Sequence, residues 1–474
     1  MEEPINKGSR LENLKVIDAS SDGQSVARID NAVVFIEGGV PGDVVDVEVY
    51  RKKKKFFEAR IVAFKEKSPD RIEPICSHFS ICGGCKWQHM SYSKQLHYKQ
   101  EQVEQALVRI GKIEIPSLLP IVGSRKTEYY RNRLEFTFSN KRWLTREEIG
   151  TDASASEDVL GFHVPGRFDK ILDVKTCYLQ DDLSNAIRNS VKDFCKEHGF
   201  AFFDVIALEG FMRNLIIRST STGEWMVTVV FHEDKVKERN LLMNHLKTQF
   251  PQITSLQYII NTKRNDTVFD LPVHLFSGRD YILEEMEGLK FKISAKSFYQ
   301  TNSEQAYELY KITREFAGLN GKELVYDLYT GTGTIANFIA RKAHHVVGIE
   351  NVPVAIEDAK QNAKENSLQN TTFIAGDIKD TLTDEFVKIH GKPDVIITDP
   401  PRAGMHPDVV QKMIELNPEK IVYVSCNPST QARDLALLND QYKVCKVQPV
   451  DMFPHTTHVE NVVLLKRRSD SDAL

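Results

Sequence analysis

The chain has 474 residues, of which 41% are hydrophobic and 27% charged, and its net charge is −4. This length predicts two to four domains with cores large enough to need no disulfides. The net charge excludes a bulk polycation, so binding to nucleic acid would have to come from local patches. No apolar run approaches the roughly 18 residues of a membrane span, and residues 1–10 lack the apolar core of a signal peptide. We therefore expect a cytoplasmic protein with reduced thiols.

Residues 1–68 alternate apolar and polar side chains in short runs that Gly and Pro turns separate. This pattern predicts a small β-barrel of the OB type. The segment Arg51–Lys55, followed by Phe56 and Phe57, is a dense basic patch within it. A run of charges is usually a solvated loop, but barrels of this kind often bind nucleic-acid backbones and stack bases on aromatic rings. The patch therefore predicts an RNA-binding face.

Cys76, Cys82 and Cys85 lie within ten residues of one another. Such closely spaced thiols suit a metal or a cluster better than a hydrophobic core. Cys177 is the best candidate for a fourth ligand, because its rival Cys195 lies in an amphipathic helical pattern. Four thiolates fit either zinc or an iron–sulfur cluster, and the spacing leaves both open.

The central region, residues 69–283, is predicted to be β-rich and mixed, with Arg and Lys near strand starts where they could contact phosphates. A helix is predicted over 96–110. From residue 284 the pattern changes to alternating strands and helices, which is typical of a mostly parallel sheet. Such open sheets bind ligands at the carboxyl ends of their strands.

Gly331 and Gly333 follow the first strand of this region, and Glu350 ends the second. Glycines at such a turn let the backbone approach a ligand closely, and an acid at the next strand end can bind two ribose hydroxyls. The dinucleotide-binding pattern is incomplete, since Ala336 stands at the third glycine position. S-adenosylmethionine, which has no pyrophosphate, fits the pattern better. Asp377, at the end of the third strand, would reach the adenine.

Cys426 follows the fifth strand, and its alternative interpretation is a buried structural thiol. A thiolate that adds to C6 of a pyrimidine makes C5 nucleophilic enough to attack a methyl donor. A base must then remove the C5 proton. Glu460 is the preferred base, with His455 and His458 as alternatives. Asp399 ends the fourth strand and begins a rigid Asp-Pro-Pro-Arg segment, in which Arg402 argues against methylation of adenine N6.

At Ser425–Pro428, Asp399–Arg402 and Pro454–Glu460 the chain resembles the uracil-5 methyltransferases of transfer and ribosomal RNA, most closely the RumA-type enzymes of 23S ribosomal RNA. The resemblance covers essentially the whole chain. It implies a TRAM barrel over 1–68 and a central iron–sulfur and RNA-binding domain over 69–283. It implies a Rossmann-like methyltransferase domain over 284–474, with which residues 96–127 would pack.

The same resemblance implies that Cys426 is the nucleophile, that Glu460 is the general base and that Asp399 positions the uracil and the donor. The implied contacts to S-adenosylmethionine are Gln300, Tyr329, Gly331, Gly333, Glu350, Asp377 and Asp399. The implied ligands of a [4Fe–4S] cluster are Cys76, Cys82, Cys85 and Cys177. The glycine loop departs slightly from the family pattern at Thr330 and Thr334.

The implied substrate is 23S ribosomal RNA, because transfer-RNA members of the family generally lack both the barrel and the cysteines. The expected partner is thus large-subunit ribosomal RNA, without a membrane or an obligate protein partner. Two alternatives stay open: a uracil-5 methyltransferase of transfer RNA, and a non-catalytic RNA chaperone or assembly factor. The presence of both Cys426 and Glu460 favours an enzyme.

Overall fold

The computed structural model describes residues 5–30, 32–145 and 148–469. These residues form a closed five-stranded barrel, a mixed seven-stranded sheet, a two-stranded hairpin and a second seven-stranded sheet, in that order along the chain. No helix in these described ranges is long and apolar enough to cross a membrane.

The barrel contains five strands: β1 (Arg10–Ala19), β2 (Ser25–Ile29), β3 (Ala32–Glu37), β4 (Val44–Lys52) and β5 (Phe56–Glu66). It closes because β1 pairs with both β2 and β4, while β5 lies between β3 and β4. Val45, Val47 and Val49 of β4 are fully buried and alternate with partly exposed residues. This period of two places one face of each strand inside the barrel. The predicted OB-like barrel is confirmed.

Helix α1 (Tyr92–Gln105) follows the cysteine-rich segment and continues into a π-helical turn, Ala106–Ile110. It starts four residues before the predicted Leu96, directly after the extended residue Ser91. Val103 and Leu107 are fully buried in the core of the second seven-stranded sheet. This helix therefore packs with strands that follow it by more than 200 residues.

The first seven-stranded sheet has the order β12-β11-β10-β9-β6-β7-β8. Its strands are β6 (Arg133–Ser139), β7 (Val159–Val164), β8 (Arg167–Asp173), β9 (Met212–Ser219), β10 (Trp225–Phe231), β11 (Ile253–Ile260) and β12 (His274–Gly278). Helices α2 (Asp182–Glu197) and α3 (Val236–Gln249) share its core. Cys195 is fully buried on the apolar face of α2, within this core.

A hairpin of β13 (Tyr281–Met286) and β14 (Leu289–Ser294) and helix α4 (Ser303–Ala317) lead into the second seven-stranded sheet. Its strands are β15 (Leu324–Leu328), β16 (His345–Glu350), β17 (Thr371–Ala375), β18 (Val395–Thr398), β19 (Lys420–Ser425), β20 (Tyr442–Val450) and β21 (Glu460–Arg467). Its helices are α5 (Thr334–Ala340), α6 (Pro353–Glu365), α7 (Ile378–Thr381), α8 (Asp384–His390), α9 (Pro407–Leu416) and α10 (Pro428–Leu438).

This second seven-stranded sheet has the order β17-β16-β15-β18-β19-β21-β20. The first five strands are parallel, and β21 runs antiparallel between β19 and β20. Helices α4, α5 and α6 cover one face, and α1 with α8, α9 and α10 covers the other. Coverage on both faces explains why its strands are nearly continuous apolar runs. The predicted Rossmann-like α/β class is confirmed.

Candidate active site

The predicted site residues meet at one edge of the second seven-stranded sheet, which we call the catalytic sheet. Tyr329, Glu350 and Asp399 end or follow parallel strands, and Cys426 directly follows β19. Glu460 is the first residue of β21 and reaches the same edge because that strand runs in the opposite direction. Ser425 pairs with Asn461 across β19 and β21, so the next residues in this register are Cys426 and Glu460. Sheet pairing thus brings together two residues that are 34 positions apart in the chain.

Cys426 is held between a strand and a helix. Asn427 caps α10 by accepting a hydrogen bond from the Ser429 N–H, which stops the strand and starts the helix. Burial, with the charges of Glu460 and Asp399, raises the pKa of the Cys426 thiol to about 11, although the charge of Arg402 acts to lower it. The thiol is therefore protonated at neutral pH in the unliganded protein. The positive charge of Arg402 is the nearby group that favours the thiolate form.

Glu460, which is buried, and Asp399, which is half-buried, are two neighbouring acids. Burial and the Asp399 charge raise the pKa of Glu460 to about 8, and burial and the Asp327 charge raise that of Asp399 to about 7. Neither carboxylate accepts a side-chain hydrogen bond from another described residue. A carboxyl with a pKa near neutrality can both accept and release a proton, which is what a general base in a turnover cycle must do.

Hydrogen bonds from residues at the start of α10 hold the Asp-Pro-Pro-Arg segment, Asp399–Arg402, in place. The Arg402 carbonyl accepts hydrogen bonds from Asn427 Nδ2 at 3.1 Å and from Thr430 Oγ1 at 3.2 Å. The Arg402 side chain is exposed at the edge of the site. A single helix terminus thereby positions both the loop after Asp399 and the thiol of Cys426.

The glycine loop after β15 has two glycines with different roles. Gly331 and Gly333 both have positive φ angles, 56° and 73°. A Cβ on Gly333 would lie 2.7 Å from the Ala359 Cβ, whereas one on Gly331 would meet no described atom within 4 Å. Gly333 is therefore required by packing against α6, while Gly331 leaves open space over the backbone. That space is where a donor molecule could approach.

Glu350 connects this loop to the next strand end. Its carboxylate accepts hydrogen bonds from the Gly331 and Val352 N–H groups, each at 3.1 Å. Tyr329 has a positive φ of 62°, and burial raises the pKa of its hydroxyl to about 12, with further contributions from Asp377 and Glu350 among nearby acids. These residues therefore lie at neighbouring strand ends on one edge of the sheet. Carboxylates in such a position can accept hydrogen bonds from ribose hydroxyls.

Gln300 lies in the segment between β14 and α4, beside the glycine loop. Its carbonyl accepts a hydrogen bond from Asn132 Nδ2 at 2.9 Å, and the nearby Phe298 carbonyl accepts one from Thr332 Oγ1 at 3.3 Å. Asp377 is exposed and caps α7 by accepting from the Lys379 N–H at 3.2 Å. The backbone bonds of residues 298 and 300 thus hold this segment against Asn132 and the glycine loop.

The two histidines differ in their surroundings. His455 is buried with a positive φ of 66°, and burial lowers its pKa to about 4. His458 is exposed, and partial burial together with the charges of Arg402, Lys99 and Arg131 lowers its pKa. A lowered pKa makes a histidine a weaker proton acceptor, which favours Glu460 as the base.

One cavity of about 520 Å³, beside the first seven-stranded sheet, is lined by Cys76, Cys82, Cys85 and Cys177. Burial raises the pKa of Cys82 to about 11 and of Cys85 to about 12. In the described part of the chain no three His, Cys, Asp or Glu side chains are gathered closely enough to hold a metal ion. The donor set still has the chemistry of a thiolate site, because four cysteines face one enclosed space.

The basic patch is only partly available to RNA. Lys53, Lys54 and Lys55 are exposed at the turn between β4 and β5. Lys52 instead donates to the Ile5 carbonyl at 2.7 Å, and the Phe56 ring packs edge-on against another ring of the barrel. The lysines, and not the aromatic rings, are therefore the groups that could contact a nucleic acid.

An ion pair that sequence reasoning missed lies beneath the site. Lys99 on α1 donates to Asp451 Oδ1 at 2.6 Å, and neither side chain has exposed surface. Tyr92, two turns earlier on α1, donates to the other Asp451 oxygen at 2.8 Å. One signal in the sequence could have indicated this pair. Lys99 lies four residues after Gln95 and four residues before Val103, on the buried face of α1. A lysine there requires a partner, since buried charges are normally paired.

A closed five-stranded barrel joined to a Rossmann-like sheet with acids at its strand ends is the architecture expected of a methyltransferase that acts on RNA, and comparison with known proteins agrees. Residues 9–62 match the TRAM domain model, and residues 213–468 match the family model tRNA (Uracil-5-)-methyltransferase. An uncharacterized RNA methyltransferase of Bacteroides thetaiotaomicron is 60% identical over 95% of this chain and all of its own. One from Chlorobaculum tepidum is 39% identical over 97% of both chains.

Among solved structures, the Pyrococcus abyssi tRNA (uracil-54, C5)-methyltransferase in complex with S-adenosyl-L-homocysteine is similar with a TM-score of 0.74 and 27% identity. The match covers 96% of this chain and all of that one. The chain thus belongs to the RNA uracil-5 methyltransferase family, whose members use S-adenosylmethionine.

Proposed function

We propose that this enzyme methylates C5 of a uracil in RNA through a covalent bond between Cys426 and C6 of the base. The observation that carries the proposal is the arrangement at the strand edge. Cys426 and Glu460 lie at the same end of one antiparallel pair of strands, and the residues proposed to bind the donor lie at the neighbouring strand ends. One bound uracil could therefore meet a nucleophile, a methyl donor and a proton acceptor together.

In the proposed mechanism the Cys426 thiol releases its proton to solvent, the thiolate adds to C6, and the electrons of the C5–C6 double bond move toward the C4 carbonyl to give an enolate. C5 then attacks the donor methyl group, and the donor leaves as S-adenosylhomocysteine. Glu460 takes the proton from C5, the double bond reforms and the thiolate is expelled. The positive charge of Arg402 favours the thiolate form of Cys426. Asp399 holds the uracil beside the donor.

For the donor we propose that the Glu350 carboxylate binds the ribose and that Asp377 reaches the adenine. The open backbone at Gly331 and the packed turn at Gly333 would allow the close approach. Tyr329 and Gln300 would close the pocket from either side, with Asp399 next to the transferred methyl group. Mapping the change in donor affinity on substituting each side chain would test these contacts.

We propose that large-subunit ribosomal RNA is the substrate, in the cytoplasm. The barrel together with the cysteine-rich segment supports this, since both belong to the ribosomal-RNA members that the sequence resembles. A transfer RNA is the second candidate, because the Pyrococcus abyssi enzyme named for transfer-RNA uracil 54 is matched along its whole chain. Mapping 5-methyluridine in 23S ribosomal RNA and in transfer RNA, from cells with and without this protein, decides between the two.

We also propose a [4Fe–4S] cluster on Cys76, Cys82, Cys85 and Cys177. The support is that all four cysteines line one cavity and that bound metal would stabilise thiolates that burial otherwise disfavours. The cluster would supply structural support, because the methyl-transfer chemistry uses other residues. Anaerobic purification should give brown protein with about four irons per chain, the count of such a cluster; zinc without iron would contradict this.

The experiment for the central proposal uses RNA that contains 5-fluorouridine. Fluorine replaces the C5 proton that Glu460 must remove, so the reaction should stop at the covalent stage. Wild-type protein with S-adenosylmethionine should give a protein–RNA band that survives denaturation. If folded protein that binds the donor forms no such band, the covalent mechanism is wrong.

A further inference from the structure

The loop that leads to Glu460 is bonded to the cysteine-rich segment. We call residues 451–459, which connect β20 to β21, the base loop. The carbonyl of His455 in this loop accepts hydrogen bonds from the N–H groups of Lys86 at 2.7 Å and Trp87 at 3.0 Å. Lys86 and Trp87 directly follow Cys85. Two consecutive backbone bonds therefore join the cysteine loop to a point five residues before the proposed base.

Gln95 of α1 strengthens this connection from the other side. Its Oε1 accepts a hydrogen bond from the His455 N–H at 2.9 Å, and its Nε2 donates to the carbonyls of Trp87 at 3.0 Å and Met90 at 2.9 Å. The Gln95 side chain is fully buried. One amide thus binds the base loop and the segment after the cysteines at the same time, so that movement of either segment breaks the same set of bonds.

Other contacts hold the base loop before residue 456 and few hold it afterwards. Lys99 donates to Asp451 and to the Phe453 carbonyl, the latter at 3.0 Å, and Tyr130 donates to the Pro454 carbonyl at 3.0 Å. After His455, the side-chain hydrogen bonds of the described loop residues are local to the loop. Glu460 then enters β21 without a side-chain hydrogen bond to another described residue. Its position therefore depends on the sheet on one side and on the bonds to His455 on the other.

The cysteine pocket is itself coupled to this arrangement. Gln88 Nε2 donates to Cys85 Sγ at 3.3 Å, and Gln88 Oε1 accepts from the Cys76 N–H at 3.2 Å. Only Lys86 and Trp87 separate Cys85 from Gln88, and these are the residues that hold His455. The two residues that hold His455 therefore lie between two residues that line the cysteine pocket.

We propose that the cysteine loop and Gln95 act as a clasp that positions the base loop, and hence Glu460, for removal of the C5 proton. Gln95 is a positioning residue here, because it contacts the loop and no reacting atom. The prediction of which reaction step slows rests on the proposed function. Loss of the clasp should slow release of the covalent adduct more than its formation, since formation depends on Cys426.

The test compares full-length wild-type protein with Gln95→Met, Cys85→Ser and the control Gln102→Met. Gln102 lies two turns along the same helix and makes no hydrogen bond through its side chain to any described residue. Amide hydrogen exchange is measured over 452–459. Gln95→Met and Cys85→Ser should speed exchange there about fivefold, the factor that loss of one ordinary hydrogen bond gives. Gln102→Met should leave it unchanged.

The second measurement follows the covalent adduct. Gln95→Met should trap 5-fluorouridine RNA at the wild-type rate but accumulate adduct on ordinary uridine RNA. Unchanged exchange in the base loop of either clasp variant, an equal effect of Gln102→Met, or equal slowing of formation and release would each overturn the proposal. If Gln95→Met does not fold, Tyr130→Phe, which removes one hydroxyl bond to the loop, replaces it.

The two proposals fail in different ways. If the wild type forms no adduct, the proposed function is wrong, and the exchange measurement alone decides whether the clasp exists. If the wild type forms adduct but exchange in the base loop is insensitive to Gln95 and Cys85, the function stands and the clasp does not.

Discussion

At the scale of single residues, burial sets the protonation of the site. Burial raises the pKa of the Cys426 thiol to about 11 and that of the Glu460 carboxyl to about 8. Both groups therefore hold protons at pH 7 in the unliganded protein, whereas the proposed reaction uses both without them. Binding of RNA would therefore have to favour loss of both protons. In the unliganded protein the protonated thiol is a weak nucleophile and reacts little with other electrophiles.

Replacement of Cys426 by Ala should abolish methylation, with a loss on the order of 10⁴-fold or more, as for other covalent nucleophiles. Donor binding should be unchanged, because the donor pocket lies on the other strand ends. Methyl transfer from labelled S-adenosylmethionine and calorimetry with S-adenosylhomocysteine measure the two effects. Cys445→Ala, a half-buried cysteine on β20, is the control. Turnover by the Cys426 variant would exclude it as nucleophile.

Replacement of Glu460 by Gln should allow methyl transfer but leave the C5 proton in place, so that a covalent protein–RNA adduct accumulates on ordinary uridine RNA. The amide fills the same space but cannot act as a base. Denaturing gels detect the adduct. If none accumulates while turnover persists, His458 becomes the preferred base.

Glu460 also makes a prediction about stability and pH. Its pKa in the folded state is above the ordinary value of 4.5, so between about pH 4.5 and pH 8 the unfolded chain binds fewer protons at this group than the folded one. Its contribution to stability is therefore present at low pH and is lost as the pH rises through this window. Glu460→Gln should be about 1 to 3 kcal/mol more stable than wild type at pH 8 and near equal at pH 4.5. Denaturant unfolding at both pH values checks this; an equal difference at both would contradict it.

At the scale of elements, the strand ends and the turns that follow them determine the site. The turn after β15 must reverse direction within a few residues and still expose its backbone, which explains two glycines with positive φ. The turn after β19 uses Asn427 and Pro428 to start α10 at once. Each turn therefore fixes a functional group close to a rigid strand.

The two glycines of the first turn should respond differently to alanine. Gly333→Ala would place a Cβ 2.7 Å from the Ala359 Cβ, so we expect the strain of positive φ plus a steric clash, roughly 2 to 4 kcal/mol in total. Gly331→Ala would meet no described atom and should cost only about 1 to 2 kcal/mol. Denaturant unfolding measures both, and Gly331→Ala is the matched control. Equal losses would show that packing against α6 is not the reason for Gly333.

At the scale of the whole molecule, RNA binding has to come from a local patch on a chain with a net charge of −4. Replacing Lys53, Lys54 and Lys55 by Gln should weaken RNA binding and reduce the slope of log affinity against log salt by up to about 2, at roughly 0.7 per phosphate contact. The control replaces Lys364, Lys388 and Lys392, which are exposed at the other edge of the catalytic sheet. An unchanged slope in the first variant would make the patch a solvated loop.

The sequence predicted those parts of the fold that depend on local pattern. The parallel strands of the catalytic sheet are apolar runs that end in Glu350, Asp399 and Cys426, and their edge follows from the rule for open sheets. The pairing that sets Glu460 opposite Cys426 required the insertion of β21 between β19 and β20, which no local signal specifies. The Lys99–Asp451 pair spans 352 positions and could not be read from periodicity. Long-range pairing is decided by tertiary packing, which a single sequence does not show.

The position of α1 also determines the order in which the molecule can be completed during synthesis. The helix leaves the ribosome early, but Asp451, the partner of its buried Lys99, is made 352 residues later. At about 5 to 20 residues per second this interval lasts roughly 20 to 70 s. During that time the Lys99 amine remains hydrated and one face of the helix has no permanent neighbour. The barrel and the central sheet can fold in the meantime, so the catalytic half is the last part of the nascent chain to become stable.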